Sequence, residues 1–310
     1  MVLLLYVKFA YVNKVQTMRR IVLLLVLGLL WSCNGGTGKG DSDRKVISVS
    51  IAPFSYFAEY IGGDDFEVNI MVPAGASPHT YEPSMAQMQA LSKSSAFIAD
   101  GYLDFELSWL SKFREVNKTM EIVVVANKQD LISSEASQHG DHMHYAGVDP
   151  HFWTSPRSAK IIASDIKDLL IRLEPESAQE YEKNYEALII KIDSIGNEVT
   201  EMLSAHSSGS FMIYHPVLAY FARDFGLNQV AVENEGKEPS PASMKEFVDK
   251  ARELGVKTIF VQQEFDRKSA SVIADEIGGK VVNINPLSAD WPNAVMEIAR
   301  ALASGFEEKK

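Results

Sequence analysis

The stretch FEVNIMVPAGASPHTYEPS, residues 66–84, indicates the fold class of this chain. Its first seven residues alternate between apolar and polar side chains, which predicts a strand. A helix is predicted to begin after Ser84, which is an N-cap that forms a capping-box pattern with Gln87. The loop between them carries His79 at the carboxyl end of the strand, where open α/β sheets bind their ligands.

Strands and helices alternate on both sides of this stretch. In the first part of the chain, strands are predicted at 46–51, 66–72, 96–99 and 122–125, with helices at 53–61, from 85, at 105–113 and at 158–173. In the second part, strands are predicted at 211–214, 230–232, 258–262 and 281–284, with helices at 217–225, 243–254, 269–277 and 293–303. This alternation predicts two parallel sheets covered by helices.

A long helix is predicted between the two parts, over residues 176–204. The segment lacks proline, and apolar residues such as Ile192, Ile195 and Val199 follow helical spacing. About 29 residues at 1.5 Å each span roughly 43 Å, which is enough to cross a domain. The predicted fold is therefore α/β, with two Rossmann-like lobes (46–175 and 205–310) joined by one long α-helix. A long packing helix inside a single domain is the alternative.

The first 33 residues have the composition of a targeting segment. A basic group at Met18-Arg19-Arg20 precedes the apolar run 21–30, and Cys33 follows as the only cysteine of the chain. The run is shorter than the roughly 20 residues of a membrane span. Its pattern resembles a signal peptide with a lipobox, which predicts lipidation of Cys33 and an extracytoplasmic, membrane-anchored protein; a buried free thiol is the alternative. The residues before Met18 fit either an upstream start or a long basic region.

Residues 34–45 are rich in Gly, Ser and Asp and are predicted to form a flexible tether. The whole chain is 46% hydrophobic and 23% charged, which is typical of a folded protein and not of a disordered one. Its formal net charge of −11 argues against nucleic acid as a partner, since phosphate binding needs basic patches.

Three histidines and one carboxylate have comparable settings in the predicted fold. His79, His151 and His215 each adjoin a proline, and Asp290 follows the last predicted strand. In a two-lobed α/β protein these loops face one cleft, so we expect them to form a metal site. Three imidazoles and a carboxylate suit tetrahedral Zn²⁺, whereas carboxylate-rich sites suit Mn²⁺. Glu264 is a competing candidate for the carboxylate ligand.

Several motifs carry a family resemblance that runs from about residue 46 to residue 306. These are PAGASPHTYEPS at 73–84, DPHFW at 149–153, His215-Pro216 with Tyr220-Phe221, and Pro286-Leu287 leading to Asp290. Together they resemble the solute-binding lipoproteins of zinc- and manganese-specific ABC importers. The resemblance implies two lobes joined by one long helix, a metal in the interlobe cleft, and delivery to a membrane permease and its ATPase.

The resemblance also implies ligand positions. It makes His79, His151 and His215 metal ligands, and leaves Asp290, Glu264 or a water molecule for the fourth position. A short loop with His139, His142 and His144 resembles the His-rich loop of the zinc-type members, which makes it a candidate accessory metal site. The alternative is a solvated acidic loop that happens to contain histidines.

The sequence therefore favours a monomeric, non-enzymatic receptor that binds Zn²⁺ and passes it to an ABC importer. A receptor for Mn²⁺ or Fe²⁺ is the alternative within the same family. A zinc hydrolase is a second alternative, although the chain lacks the His-Glu-x-x-His and Gly-x-Ser-x-Gly motifs. A third is a role of the exposed lipoprotein in cell adhesion.

Overall fold

The computed structural model describes residues 44–133, 147–232 and 240–308, and Arg44–Lys310 form one compact unit. The predicted signal peptide with Cys33, nearly all of the tether, and the loop with His139, His142 and His144 lie outside the described residues. Among the helices that are described, none combines the length and the apolar character that a bilayer span requires.

Two four-stranded sheets form the framework. The first contains β1 (Lys45–Ile51), β2 (Phe66–Val72), β3 (Ala96–Ala99) and β4 (Glu121–Val124), in the order β2-β1-β3-β4. The second contains β5 (Ser210–Ile213), β6 (Asn228–Ala231), β7 (Thr258–Gln262) and β8 (Lys280–Ile284), in the order β6-β5-β7-β8. Every strand pairing within the described ranges is parallel. The carboxyl ends of the strands in each sheet therefore meet at one edge.

Nine α-helices are described. They are α1 (Ala52–Gly62), α2 (Met85–Lys93), α3 (Asp104–Val116), α4 (Pro156–Leu173), α5 (Ala178–Leu203), α6 (Ala219–Phe225), α7 (Pro241–Leu254), α8 (Lys268–Glu276) and α9 (Trp291–Glu307). Several of these helices begin at a capping side chain that accepts a hydrogen bond from a backbone N–H of the first turn. The capping residues are Ser84, Ser155, Ser240 and Asp290. Such caps satisfy backbone N–H groups that have no partner inside the helix.

The long helix α5 lies between the two sheets in the chain. It contains 26 residues, about 39 Å at 1.5 Å per residue, and short 3-10 helices at Pro175–Ser177 and Ser204–His206 flank it. Its buried stripe includes Leu188, Ile192 and Val199. The helix packs against α1 and α4 from the first half and against α9 from the second half. The prediction of two parallel sheets with a long connecting helix is thus confirmed.

The apolar core is continuous across both halves. Successive residues of a strand point to opposite faces, and in the second sheet this alternation separates two clusters. Phe211 and Ile213 belong to the large cluster shared with the first half, whereas Met212 packs in a smaller cluster of the second half alone. One face of the second sheet is therefore packed into the same interior as the first sheet.

Two tryptophans join the halves through reciprocal hydrogen bonds. The Trp153 indole nitrogen donates to the Pro286 carbonyl at 2.9 Å, and the Trp291 indole nitrogen donates to the Trp153 carbonyl at 2.7 Å. Both side chains are almost completely buried. We call these two residues the tryptophan clasp. Because Trp153 lies two residues after His151, the clasp fixes the halves beside the predicted metal site.

Candidate metal site

Three imidazoles converge between the ends of the two sheets. The Nε2 atoms of His79 and His215 are 3.1 Å apart, and those of His215 and His151 are 3.2 Å apart. The candidate ligand atoms of all three residues lie within 4.8 Å of one another. Two nitrogens bound to one tetrahedral zinc at ~2.0–2.1 Å would be separated by about 3.3 Å. The two short nitrogen separations therefore fit three ligands of a single ion.

The loop after β2 positions His79 through its connection to α2. Ser84 and Gln87 form the predicted capping box, in which the Ser84 N–H donates to Gln87 Oε1 at 2.9 Å. The Tyr81 hydroxyl donates to the same oxygen at 2.6 Å, and Gln87 Nε2 donates to the Met71 carbonyl at 2.5 Å. Gln87 thus ties the loop to the end of its strand, so the backbone around His79 is fixed by local sequence.

The far side of the His79 ring contacts a carboxylate. Its Nδ1 lies 2.8 Å from Asp104 Oδ2, at the first residue of α3. The Phe105 N–H donates to the Pro78 carbonyl at 3.2 Å and holds the same helix start against the loop. When the carboxylate accepts from Nδ1–H, the lone pair of the neutral ring lies on Nε2, facing the other histidines.

His151 has the same kind of partner. Its Nδ1 lies 2.8 Å from Asp149 Oδ1, and this oxygen also accepts from the His151 backbone N–H at 2.8 Å. The Tyr220 hydroxyl donates to the Asp149 carbonyl at 2.6 Å and accepts from the Ile132 N–H at 2.9 Å. A tyrosine of the second half therefore supports the residue that orients His151.

His215 follows β5 and is held differently. Its ring stacks on Phe265, with centroids 4.8 Å apart and an interplanar angle of 21°. Its backbone carbonyl accepts from Gln262 Nε2 at 3.1 Å. His215 and His151 are both buried, with 7% and 4% of their surface exposed. The second half thus supplies one imidazole against an aromatic wall.

The two candidate carboxylates lie in different places. Asp290 is exposed at the start of α9, where its carboxylate accepts from the Asn293 N–H at 3.3 Å and from Asn293 Nδ2 at 2.5 Å. The structure does not bring it into the group with the three histidines. Its sequence setting, Asp before Trp-Pro, is also typical of an N-cap with proline in the first turn. Glu264 lines the cavity of the three histidines, together with Gln262 and Phe265.

Sequence reasoning missed a pair of buried acids beside this site. Glu106 accepts from the Asp100 N–H at 2.8 Å, from the Gly101 N–H at 2.6 Å and from the Ser50 hydroxyl. Burial raises the pKa of Glu106 to about 7, and burial together with Glu106 raises the pKa of Asp100 well above its usual value. These bonds shape the turn between β3 and α3. That turn leads to Asp104, whose role was also missed because an acid in the first turn of a helix is common.

Sequence and structure comparisons agree on one family. The model of the family described as "Zinc-uptake complex component A periplasmic" matches residues 47–305. The high-affinity zinc uptake system protein ZnuA of Bacillus subtilis is 26% identical over 272 residues, which cover 84% of this chain and 85% of that protein. The zinc-binding lipoprotein AdcA of Streptococcus pneumoniae is 26% identical over 282 residues, which cover 88% of this chain and 56% of AdcA.

The match to AdcA is partial in length, since the chain spans little more than half of that protein. A crystal structure of ZnuA is similar over nearly its full length. It is 35% identical, with a TM-score of 0.79, and the match covers 85% of this chain and 99% of that one. The family match extends over most of the chain and includes all three histidines of the cavity. The chain belongs to the family of periplasmic ZnuA-type components of zinc-uptake complexes.

Proposed function

We propose that this protein is an extracytoplasmic receptor that binds one Zn²⁺ ion through His79, His151 and His215 and delivers it to an ABC importer. The convergence of three Nε2 atoms, with neighbouring separations of 3.1 and 3.2 Å, carries this proposal. Zinc is the transported ion here, and the protein acts without catalysis. The names of ZnuA in Bacillus subtilis and AdcA in Streptococcus pneumoniae support a zinc-binding role.

The ligand set favours zinc over manganese. Three nitrogen ligands from imidazoles suit Zn²⁺, whereas Mn²⁺ prefers sites rich in carboxylate oxygen. The carboxylates of Asp104 and Asp149 contact the far nitrogens of two rings, at 2.8 Å each, so they orient ligands and do not supply them. The geometry therefore supports a nitrogen-rich first coordination sphere.

The delivery role brings further proposals about location and partners. Cys33 would be lipidated and would anchor the receptor to a membrane, with 34–45 as the tether, 46–175 and 205–310 as the lobes and 176–204 as the linking helix. The permease and the ATPase of the importer are the proposed partners of a monomeric receptor. The name of AdcA, a lipoprotein, supports the anchor.

Metal analysis of the purified protein tests this function. We expect one zinc per chain, and a His79→Ala, His215→Ala double variant should lose high-affinity binding because it removes a ligand from each half. Competition with a zinc chelator measures the affinity, and competition between Zn²⁺ and Mn²⁺ measures the selectivity. Unchanged zinc affinity in the double variant would refute the site, and tighter binding of Mn²⁺ would refute the assigned metal.

A further inference from the structure

Two buried carboxyl groups lie outside the group of three histidine ligands. Asp100 follows β3, Glu106 lies in the first turn of α3, and the two residues are 0% and 1% exposed. Neither carboxyl is paired with a cation among the residues that the structure describes. Buried acids without a cationic partner are rare, because burial disfavours their charge. We call Asp100 and Glu106 the acid pair.

Glu106 uses both of its oxygens in the turn between β3 and α3. Its Oε1 accepts from the Asp100 N–H at 2.8 Å and from the Ser50 hydroxyl, and its Oε2 accepts from the Gly101 N–H at 2.6 Å. Hydrogen bonds to a carboxylate favour its ionised form. Of the two acids, Glu106 is therefore the better prepared to carry a negative charge.

Asp100 has fewer donors. Its Oδ1 accepts from the Tyr102 N–H at 3.1 Å, whereas its Oδ2 is buried without a hydrogen-bond partner in the described ranges. A negative charge on that oxygen would be both desolvated and without a donor, so the neutral acid is favoured. Burial, followed by the charge of Glu106, raises the pKa of Asp100 well above its usual value. Two carboxyls in this setting hold one proton between them near neutral pH.

The acid pair is connected to both carboxylates that orient histidine ligands. The turn after Asp100 leads to Asp104, which lies 2.8 Å from His79 Nδ1. After burial and Glu106, the charge of Asp149 also raises the pKa of Asp100, and Asp149 lies 2.8 Å from His151 Nδ1. Charges interact over longer distances inside a protein than in water, because the interior screens them less. A divalent cation at the imidazoles therefore favours the ionised form of the pair.

Other titratable groups surround the acid pair. Tyr102 lies in the same turn, Asp104 begins α3, Asp149 precedes the short helix His151–Thr154, and Tyr220 lies on α6. From β1 the contact is the Ser50 hydroxyl, which does not titrate in the range considered. Burial raises the pKa of Tyr220 to about 12, so this residue is neutral near pH 7. The acid pair is thus the group here that exchanges a proton near neutral pH.

We propose that the acid pair holds one proton in the empty receptor and releases it to water when Zn²⁺ binds, which couples zinc uptake to pH through two carboxyls that do not touch the ion. One carboxylic O–H bond breaks, a carboxylate remains, and no electron is transferred. Protons and zinc therefore compete at a distance, and a fall in pH weakens zinc binding through the pair as well as through the imidazoles. This inference rests on the proposed function, since it concerns the same ion.

The number of protons released on zinc binding tests the coupling. Calorimetric titration at pH 8 in buffers of different ionisation enthalpy measures this number. Asp100→Asn removes one titrating carboxyl and leaves the donors to Glu106 in place, and the new amide replaces an oxygen that has no donor. We expect the unmodified protein to release up to about one proton more per zinc than Asp100→Asn.

Glu59→Gln is the matched control for the titration. Burial also raises the pKa of Glu59, but this residue lies on α1, away from the turn of the acid pair. The control should release as many protons as the unmodified protein. An equal loss of proton release in Glu59→Gln and Asp100→Asn would overturn the assignment to the acid pair.

The stability of the zinc-free protein tests whether the pair is protonated at all. Burial raises the pKa of Glu106 to about 7, whereas a glutamate in an unfolded chain titrates near ~4.3. Between these values the folded state binds more protons than the unfolded state, so stability is lost as pH rises. Urea unfolding from pH 5 to pH 8 should show a steeper loss for the unmodified protein than for Asp100→Asn. Identical profiles would refute the stored proton.

The outcomes separate this inference from the proposed function. If the unmodified protein binds no zinc, the receptor function fails and the coupling fails with it, whatever the stability profile shows. If the unmodified protein and Asp100→Asn bind zinc and release equal numbers of protons, the coupling is refuted and the receptor function stands. A folding defect of Asp100→Asn would appear in its thermal unfolding, and the same titration of Glu106→Gln would then decide the question.

Discussion

The two halves of the molecule have the same sheet order but contribute unequally to the site. The first half supplies His79 and His151, each with a carboxylate 2.8 Å from its far nitrogen. The second half supplies His215, stacked on Phe265. The first half therefore fixes ring orientation by charge-assisted hydrogen bonds, whereas the second half uses an aromatic surface.

This difference shows that one sheet topology can hold a histidine ligand by two means, a carboxylate in the first half and an aromatic ring in the second half. In both sheets the polar residues follow the carboxyl ends of parallel strands, where the fold brings loops together. The way in which each loop holds its histidine then depends on the residues that pack around it. Asp104 begins a helix and Asp149 precedes a short helical turn, so both carboxylates are held rigidly beside a ring. The three predictions below test how far the halves depend on each other.

The largest effect is expected from breaking the junction between the halves. Trp291→Ala should lower the free energy of unfolding by about 3–5 kcal/mol, the usual cost of removing a large buried aromatic side chain. The substitution also removes the donor to the Trp153 carbonyl and the ring contacts with Tyr56 and Phe57. Urea unfolding with linear extrapolation measures the loss.

Trp109→Ala is the control for this experiment. Trp109 is only partly buried, within the first half, where Lys112 lies 4.1 Å from its ring centre. We expect a clearly smaller loss of stability. Equal losses for the two variants would show that the clasp contributes nothing beyond the burial of an aromatic ring.

The carboxylates of the first half provide the second test. Asp149→Asn should weaken zinc binding by about 10–100-fold, because the amide no longer holds the ring with a charged acceptor. Asp104→Asn should have the smaller effect, since the Asp104 side chain is 35% exposed and that of Asp149 is 12% exposed. Calorimetric titration with zinc measures both. The charge-matched control is Asp193→Asn, whose carboxylate pairs with Lys160 on the surface.

Equal zinc affinity of Asp149→Asn and Asp193→Asn would refute the role of the Asp149 carboxylate in holding the His151 ring. A larger loss for Asp104→Asn than for Asp149→Asn would instead show that exposure does not determine how strongly these carboxylates act.

The smallest effect is expected from the helix caps that follow a loop in each half. Ser84→Ala and Asp290→Ala should each cost about 0.5–2 kcal/mol of stability, because each removes an acceptor for backbone N–H groups at a helix start. Asp290→Ala should leave zinc affinity unchanged, since Asp290 is bonded to Asn293. A tenfold loss of zinc affinity in Asp290→Ala would return this residue to the set of metal ligands.

Much of the fold was predictable because the patterns that indicate its strands and helices involve residues close together in the sequence. The strands at 66–72, 96–99 and 258–262 have the predicted bounds, and the capping box of Ser84 and Gln87 forms as expected. The predicted helix at 176–204 is 26 residues of α-helix flanked by 3-10 turns, because helix ends tighten where the ladder of hydrogen bonds runs out. Side-chain periodicity and capping depend on neighbours in sequence, so a single chain reveals them.

The sequence by itself determined the alternation of strands and helices. It also determined that the three histidines lie in loops next to predicted strands or helices. The tertiary structure alone decided which polar groups surround those rings. Asp104 lies 25 positions from His79 and was assigned no role, while Asp290 was a candidate ligand and is a helix cap. Distances between side chains far apart in the chain depend on how the two sheets pack, and no local pattern encodes that packing.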